Sequence, residues 1–144
     1  MCSFFSSNST YKCQNHNKIN ILCLNIRSLR KNFINFQSEI NKILDNLDII
    51  VLIETNITDN EINLYKITNF NNEFLNRKNR RGGGIAVFIR DKYSFNTSMS
   101  IGASFEHILI NLSIDKFILP IICVYRPPCT VNTNLFCVEL ENII

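Results

Sequence analysis

"INILCLNIRSLRKNFINFQSEINKILDNLDIIVLIE", residues 19–54, decides how this chain folds. Its opening, Ile19 to Ile26, is apolar and β-branched enough to read as a strand. From Phe33 onward the apolar residues fall at 33, 36, 40, 43, 44 and 47, a helical stripe with polar residues opposite. Ser28 stands where an N-cap belongs. Ile49 to Ile53 is a continuous apolar run, suited to a strand buried on both faces. Strand, helix and strand in that order make a crossover unit. Such a unit sets its two strands parallel and brings their carboxyl ends side by side.

Further along, "GGGIAVFIR" (82–90) comes directly after a basic run of Arg77, Lys78, Arg80 and Arg81. Glycines beside cations suggest a phosphate cradle, but such cradles lead from a strand into a helix whose free N–H groups hold the anion. Here the glycines lead into a strand-like run, Ile85 to Ile89, and no Lys-Ser or Lys-Thr stands after them. The glycines therefore read as a turn admitting the chain to a buried strand. Residues 55–80 read as mixed and loop-rich, with a short helix near Glu61 to Tyr65. Strands are expected at 85–90, 93–98, 105–112 and 117–125, with a turn at Ser113 to Lys116. Pro120 marks the last strand as an edge or a bulge. A helix should begin near Asn134, with Phe136, Leu140, Ile143 and Ile144 on one face. It stops on two isoleucines without a cap, as a chain cut off inside a domain would.

The chain has 144 residues, 46% hydrophobic and 19% charged, which favours a packed globular protein over disorder. A net charge of +3 is compatible with a nucleic-acid partner without demanding one. Six cysteines, at 2, 13, 23, 123, 129 and 137, include no C-x-x-C pair. Cys23 and Cys123 lie in strand-like runs, which points to reduced, buried thiols in a cytoplasmic or nuclear protein rather than a secreted one. The Ser/Asn-rich start, residues 1–18, reads as a flexible leader without the charge and apolar core of a signal peptide. The longest apolar run, Phe117 to Tyr125, is far too short to span a bilayer, so no membrane partner is expected.

Polar residues at strand ends are where chemistry would sit. Asn25 ends the first strand and Glu54 comes directly after the second. Ligands of open α/β sheets gather at the carboxyl ends of strands, so both should share one rim, with Tyr125, at the end of a third apolar run, on the same rim. A carboxylate beside a carboxamide there is an oxygen-rich, cation-friendly pair, and one carboxylate can hold Mg²⁺ together with water and substrate phosphate. The alternative is that Glu54 only solubilises a strand end and Asn25 only starts a turn. Tyr125 closes another strand and leads into "YRPP", where phenol and Arg126 guanidinium could meet a phosphate. Arg77, Lys78, Arg80 and Arg81 read as a solvated loop, or as contacts to a DNA backbone. His107 alternates with apolar neighbours and reads as a surface or satisfied histidine.

Five segments in order and spacing, "LNIRSLRKNF", "DIIVLIET", "RRGGGIAVFIR", "FEHILINL" and "CVYRPP", resemble the endonuclease/exonuclease/phosphatase superfamily. The branch they look most like is the apurinic-type endonuclease domain of jockey-like non-LTR retrotransposons. The resemblance spans residues 19–144. It implies an α/β (α+β) fold, the N-terminal half of a two-sheet α/β sandwich with a mixed sheet and flanking helices. It also implies a Mg²⁺-dependent phosphodiesterase acting on DNA, normally fused to a downstream reverse transcriptase. Carried over residue by residue, Asn25 matches a hydrogen-bonding site Asn, Glu54 the metal-binding Glu, and Tyr125 the Tyr that approaches the scissile phosphate. The family's later Gly-Asp-x-Asn and Ser-Asp-His segments have no counterpart in this sequence, and neither His16 nor His107 stands in the right context. The expectation is therefore an endonuclease fragment without activity by itself. The alternatives are a non-catalytic module that binds nucleic acid or protein, or a phosphatase-type member of the superfamily.

Overall fold

The computed structural model describes residues 18–77, 82–128 and 133–143. The crossover unit forms as its periodicity predicts: β1 (Ile21–Asn25), α1 (Leu29–Ile40) and β2 (Ile49–Ile53), with β1 and β2 parallel and Asn25 level with Ile53. Beyond Ile40 the stripe does not stay α-helical. A short 3₁₀ turn at Leu44–Asn46 carries the chain over to β2 and seats Leu47 in the core. Ser28 does occupy the N-cap position, but its side chain makes no capping bond and its φ is 98°. Its N–H instead donates to the Glu54 carbonyl at 2.8 Å, so the helix entry is fastened to the end of β2.

Two sheets result. The first has the order β1–β2–β4–β3, where β3 is Phe70–Leu75 and β4 is Ile85–Arg90; only the β1–β2 pair is parallel. The second is an antiparallel meander of β5 (Ser94–Ile101), β6 (Glu106–Ile114) and β7 (Phe117–Tyr125). Helix α2 (Thr133–Glu141) comes next, with its Phe136 ring edge-on to Phe105 at 5.2 Å. The architecture is thus mixed α and β in two sheets, compatible with an α/β sandwich.

The sheets divide the core in two. On one side of the first sheet, Ile50, Leu52, Ala86 and Phe88 pack with Leu29, Phe33, Phe36 and Ile40 of α1. On the other, Ile49, Val51, Ile85, Val87 and Ile89 meet Ile108, Ile110, Leu112, Cys123 and Tyr125 of the second sheet. Strands β2 and β4 are therefore covered on both faces, as their unbroken apolar runs require.

Several expectations need correction. Cys23 is exposed, at the outer strand of the first sheet, where Ile21 on the same face is 46% exposed. Cys123 is buried as expected, and burial pushes its thiol up to about 12. Strand β3, "FNNEFL", emerges from the stretch read as loop-rich: two Asn and a Glu weaken its strand signal, and only its ladder with β4 fixes it. Of the two readings of Pro120 the edge strand holds: β7 is an edge, and the β6–β7 register runs unbroken through Asn111 and Pro120. The leader up to residue 17, and Ile144 of the last helix, fall outside the described residues.

Candidate functional site

The rim is built from the carboxyl ends of three strands. Asn25 leaves β1, Glu54 leaves β2 beside it, and Tyr125 ends β7 in the other sheet. The phenol of Tyr125 donates to Glu54 Oε1 at 3.3 Å, a long bond that crosses the seam between the sheets. Burial pushes the Tyr125 phenol upward, and the Glu54 charge adds to the rise while Arg77 opposes it. The phenol thus stays protonated and remains a donor. Asn25 is engaged locally: its Oδ1 accepts the Arg27 backbone N–H at 3.0 Å, the turn-starting role that the alternative reading gave it.

Backbone geometry is unusual here. Glu54 and Asn56 both have positive φ, 59° and 53°, and so does Arg27 at 50°. Non-glycine residues adopt that region sparingly, at a cost of about 1–3 kcal/mol each where they are held there. Neighbouring bonds hold them: Asn56 Nδ2 donates to the Glu54 carbonyl at 3.1 Å, and the Asn56 N–H donates to Gly83 O at 3.1 Å. Two side-chain oxygens nearby, Thr55 Oγ1 and Asn56 Oδ1, are buried without a hydrogen-bond partner.

The glycines do enter a strand, with Ile85 starting β4 directly after Gly84. Gly82, Gly83 and Gly84 all have positive φ, 86°, 82° and 89°. Crowding adds a second requirement at Gly84, where a Cβ would collide with Thr55 Oγ1. The loop does hold an anion, but an internal one: Gly84 N–H donates to Glu106 Oε2 at 2.8 Å, and Arg77 Nε pairs with Glu106 Oε1.

Glu106 is the residue that sequence reasoning passed over. It is fully buried and lies level with Tyr125 across the β6–β7 ladder. The signal was available in the alternation, since Glu106 shares parity with the inward-facing Ile108, Ile110 and Leu112.

The cations assigned to a DNA backbone divide. Arg77 is turned inward, its side chain only 15% exposed against Glu106. Arg126 lies over the Phe136 ring at 5.1 Å, with Nη2 3.4 Å from Thr133 Oγ1. Lys78, Arg80 and Arg81 lie outside the described residues. Arg27, not singled out from the sequence, is exposed on the rim between Asn25 and the start of α1.

A divalent cation would find one carboxylate here, Glu54, with the Tyr125 phenol 3.3 Å from it and Asn25 at the end of the neighbouring strand. Among the described residues no group of three or more His, Cys, Asp or Glu is placed to hold a metal. This donor set suits a weakly held hard cation that keeps most of its waters, and does not suit a tightly caged one. No helix among the described residues is long and apolar enough to cross a membrane. No protein-family model matches the chain, and no curated protein matches it in sequence.

Proposed function

We propose that the Asn25–Glu54–Tyr125 rim is a Mg²⁺-assisted phosphodiester site for DNA, of the endonuclease/exonuclease/phosphatase kind, most like the apurinic-type endonucleases of non-LTR retrotransposons. The observation that carries the reading is the meeting of Glu54 and Tyr125 across the two sheets at 3.3 Å. Two residues 71 positions apart, on different sheets, converge on one rim. In this reading Glu54 holds Mg²⁺, which would neutralise charge on a phosphate oxygen. Tyr125, whose phenol proton rests on Glu54 Oε1 here, would turn it to the same phosphate once Mg²⁺ takes up the carboxylate, Asn25 fixes the loop through Arg27, and Arg27 offers its guanidinium to the backbone.

The same residues limit the chemistry. Positioning a nucleophile by a general base contributes about 10²–10⁴-fold in rate, and one electrostatic donor at the transition state about 10²–10³-fold. His107, the one histidine among the described residues, faces away from the Glu106 side of β6, and its Nδ1 is buried with burial pushing its pKa down. It supplies neither role. The chain by itself is therefore expected to bind rather than cleave.

The test compares the chain with Glu54→Ala, using Mg²⁺ titration tracked by chemical shifts and nicking of supercoiled plasmid. A weak Mg²⁺ response that depends on Glu54, with background nicking in both proteins, supports the reading. An identical Mg²⁺ response in both proteins would sink the site. Robust cleavage abolished by Glu54→Ala would overturn the assignment of the chain as inactive by itself.

A further inference from the structure

We infer that Glu106 and Arg77 are positioning residues: their buried ion pair holds the Tyr125 phenol against Glu54 across the seam between the sheets. The inference rests on Glu54 and Tyr125 being the working pair of the site, and it removes Arg77 from the DNA-contacting cations.

Glu106 is 0% exposed and the Arg77 side chain 15% exposed. A pair taken this far out of water gives little net stability over apolar residues of similar size, so its presence calls for another account. Its surroundings supply one. Glu106 stands opposite Tyr125 in the β6–β7 register, which puts both side chains on the same face as cross-strand neighbours. Arg77 places its guanidinium 6.0 Å from the centre of the Tyr125 ring while paired with Glu106. That is at the outer reach of a cation–π contact, so the guanidinium flanks the ring while it pairs with Glu106.

The Glu54 side of the contact is fixed by the same carboxylate. Glu106 Oε2 accepts the Gly84 N–H at 2.8 Å. The carbonyls of Gly84 and Gly83 in turn accept the N–H groups of Thr55 and Asn56, at 3.4 and 3.1 Å, directly after Glu54. The room for this is narrow, because a Cβ on Gly83 would lie 2.7 Å from Arg77 Nε and 2.8 Å from Glu106 Oε1. The contacts close a circuit: Glu106 to Gly84, Gly84 to the strand end carrying Glu54, Glu54 to Tyr125, and Tyr125 past Arg77 to Glu106. One buried carboxylate therefore sets both halves of a contact between two sheets.

Tyrosine labelled with ¹³C at Cζ reports the contact without any metal or substrate. The chain has four tyrosines, and Tyr125→Phe assigns the relevant signal. Glu54→Gln should displace that signal in the otherwise unchanged protein. In a Glu106→Gln background, with a thermal transition confirming the fold, the displacement should vanish, whereas Arg77→Lys, which keeps a cation for Glu106, should retain most of it. If Glu106→Gln alone does not fold, the paired variant Arg77→Gln with Glu106→Gln, which strands no charge, takes its place with the same expected loss. A displacement of undiminished size in either background overturns the inference, and so does a wild-type signal indifferent to Glu54→Gln. Mg²⁺ added afterwards addresses the phosphodiester site separately. A signal that answers to Glu54 but not to Mg²⁺ defeats the metal reading and leaves the positioning role standing.

Discussion

At the N-terminal end of β2, Asp48 is 6% exposed and three donors converge on its carboxylate. Its Oδ2 accepts the Asn20 N–H at 3.0 Å, and its Oδ1 receives the Tyr93 hydroxyl and the Lys92 ammonium, each at 2.9 Å. At the C-terminal end, Glu54 has a strained backbone, one long bond to Tyr125 and two partnerless oxygens in the next two residues. The same five-residue strand ends in a saturated carboxylate and an under-satisfied one. A residue that serves the fold is surrounded until its hydrogen-bonding capacity is used, because a buried acceptor left open costs about 1–3 kcal/mol. A residue held in strain with capacity to spare marks the end of the strand at which a ligand could be met.

The sharpest way to break this contrast is at the saturated end. Asp48→Ala removes a charged acceptor from three donors and should lower stability by about 2–3 kcal/mol in denaturant unfolding. A loss as small as that from Glu54→Ala would show that the two ends do not differ.

Gly84→Ala comes next, since it adds strain at φ 89° and drives a Cβ into Thr55 Oγ1. It should cost about 1–3 kcal/mol. Thr55→Ala, which removes the partnerless hydroxyl that the new Cβ would strike, should recover part of the loss in a double-mutant cycle. Simple additivity would mean that the collision is relieved elsewhere.

Glu54→Ala itself should leave stability within about 0.5 kcal/mol of the parent while abolishing the Mg²⁺ response. A destabilisation beyond about 1 kcal/mol would recast Glu54 as a second structural carboxylate, like Asp48.

The smallest effect concerns acid. Hydrogen bonds from Arg30 and Thr58 hold the Glu61 carboxyl down at about 2 from an ordinary 4.5, fastening α1 to the segment after β2. A carboxyl whose folded pKa is depressed contributes stability above its unfolded pKa and loses it as pH falls through the folded one. Glu61→Gln should therefore flatten the stability profile between about pH 4.5 and pH 2, the interval between the two values. The pair is exposed, so the change should be slight. At Asp48 the hydrogen bonds outweigh burial and also lower the pKa, so Asp48→Asn should flatten the profile in the same direction below about pH 4. A profile unchanged by both substitutions would remove titration from the account of the structural end.

Much of this was legible in the chain. The apolar stripe at 33, 36 and 40 and the run at 49–53 specify a helix on a buried strand, because those periodicities come from the backbone's own geometry. Asn25 and Glu54 could be placed on one rim for the same reason: a crossover has one practical handedness, and parallel strands end together. The glycine run could be separated from a phosphate cradle by the strand-forming residues after it, Ile85 to Ile89. By contrast, β3 was hidden, since Phe70 to Leu75 has little intrinsic preference and takes its strand form from pairing with β4. The pairing of Arg77 with Glu106, 29 positions apart, was hidden too, and with it the inward turn of a cation that looked exposed in sequence. The meeting of Tyr125 with Glu54 depends on how two separate sheets stack. Local periodicity fixes which face of each element is buried, and so it fixed the strands and their ends. Which side chains meet across the seam depends on the packing of one sheet against another, and only the tertiary structure decided that.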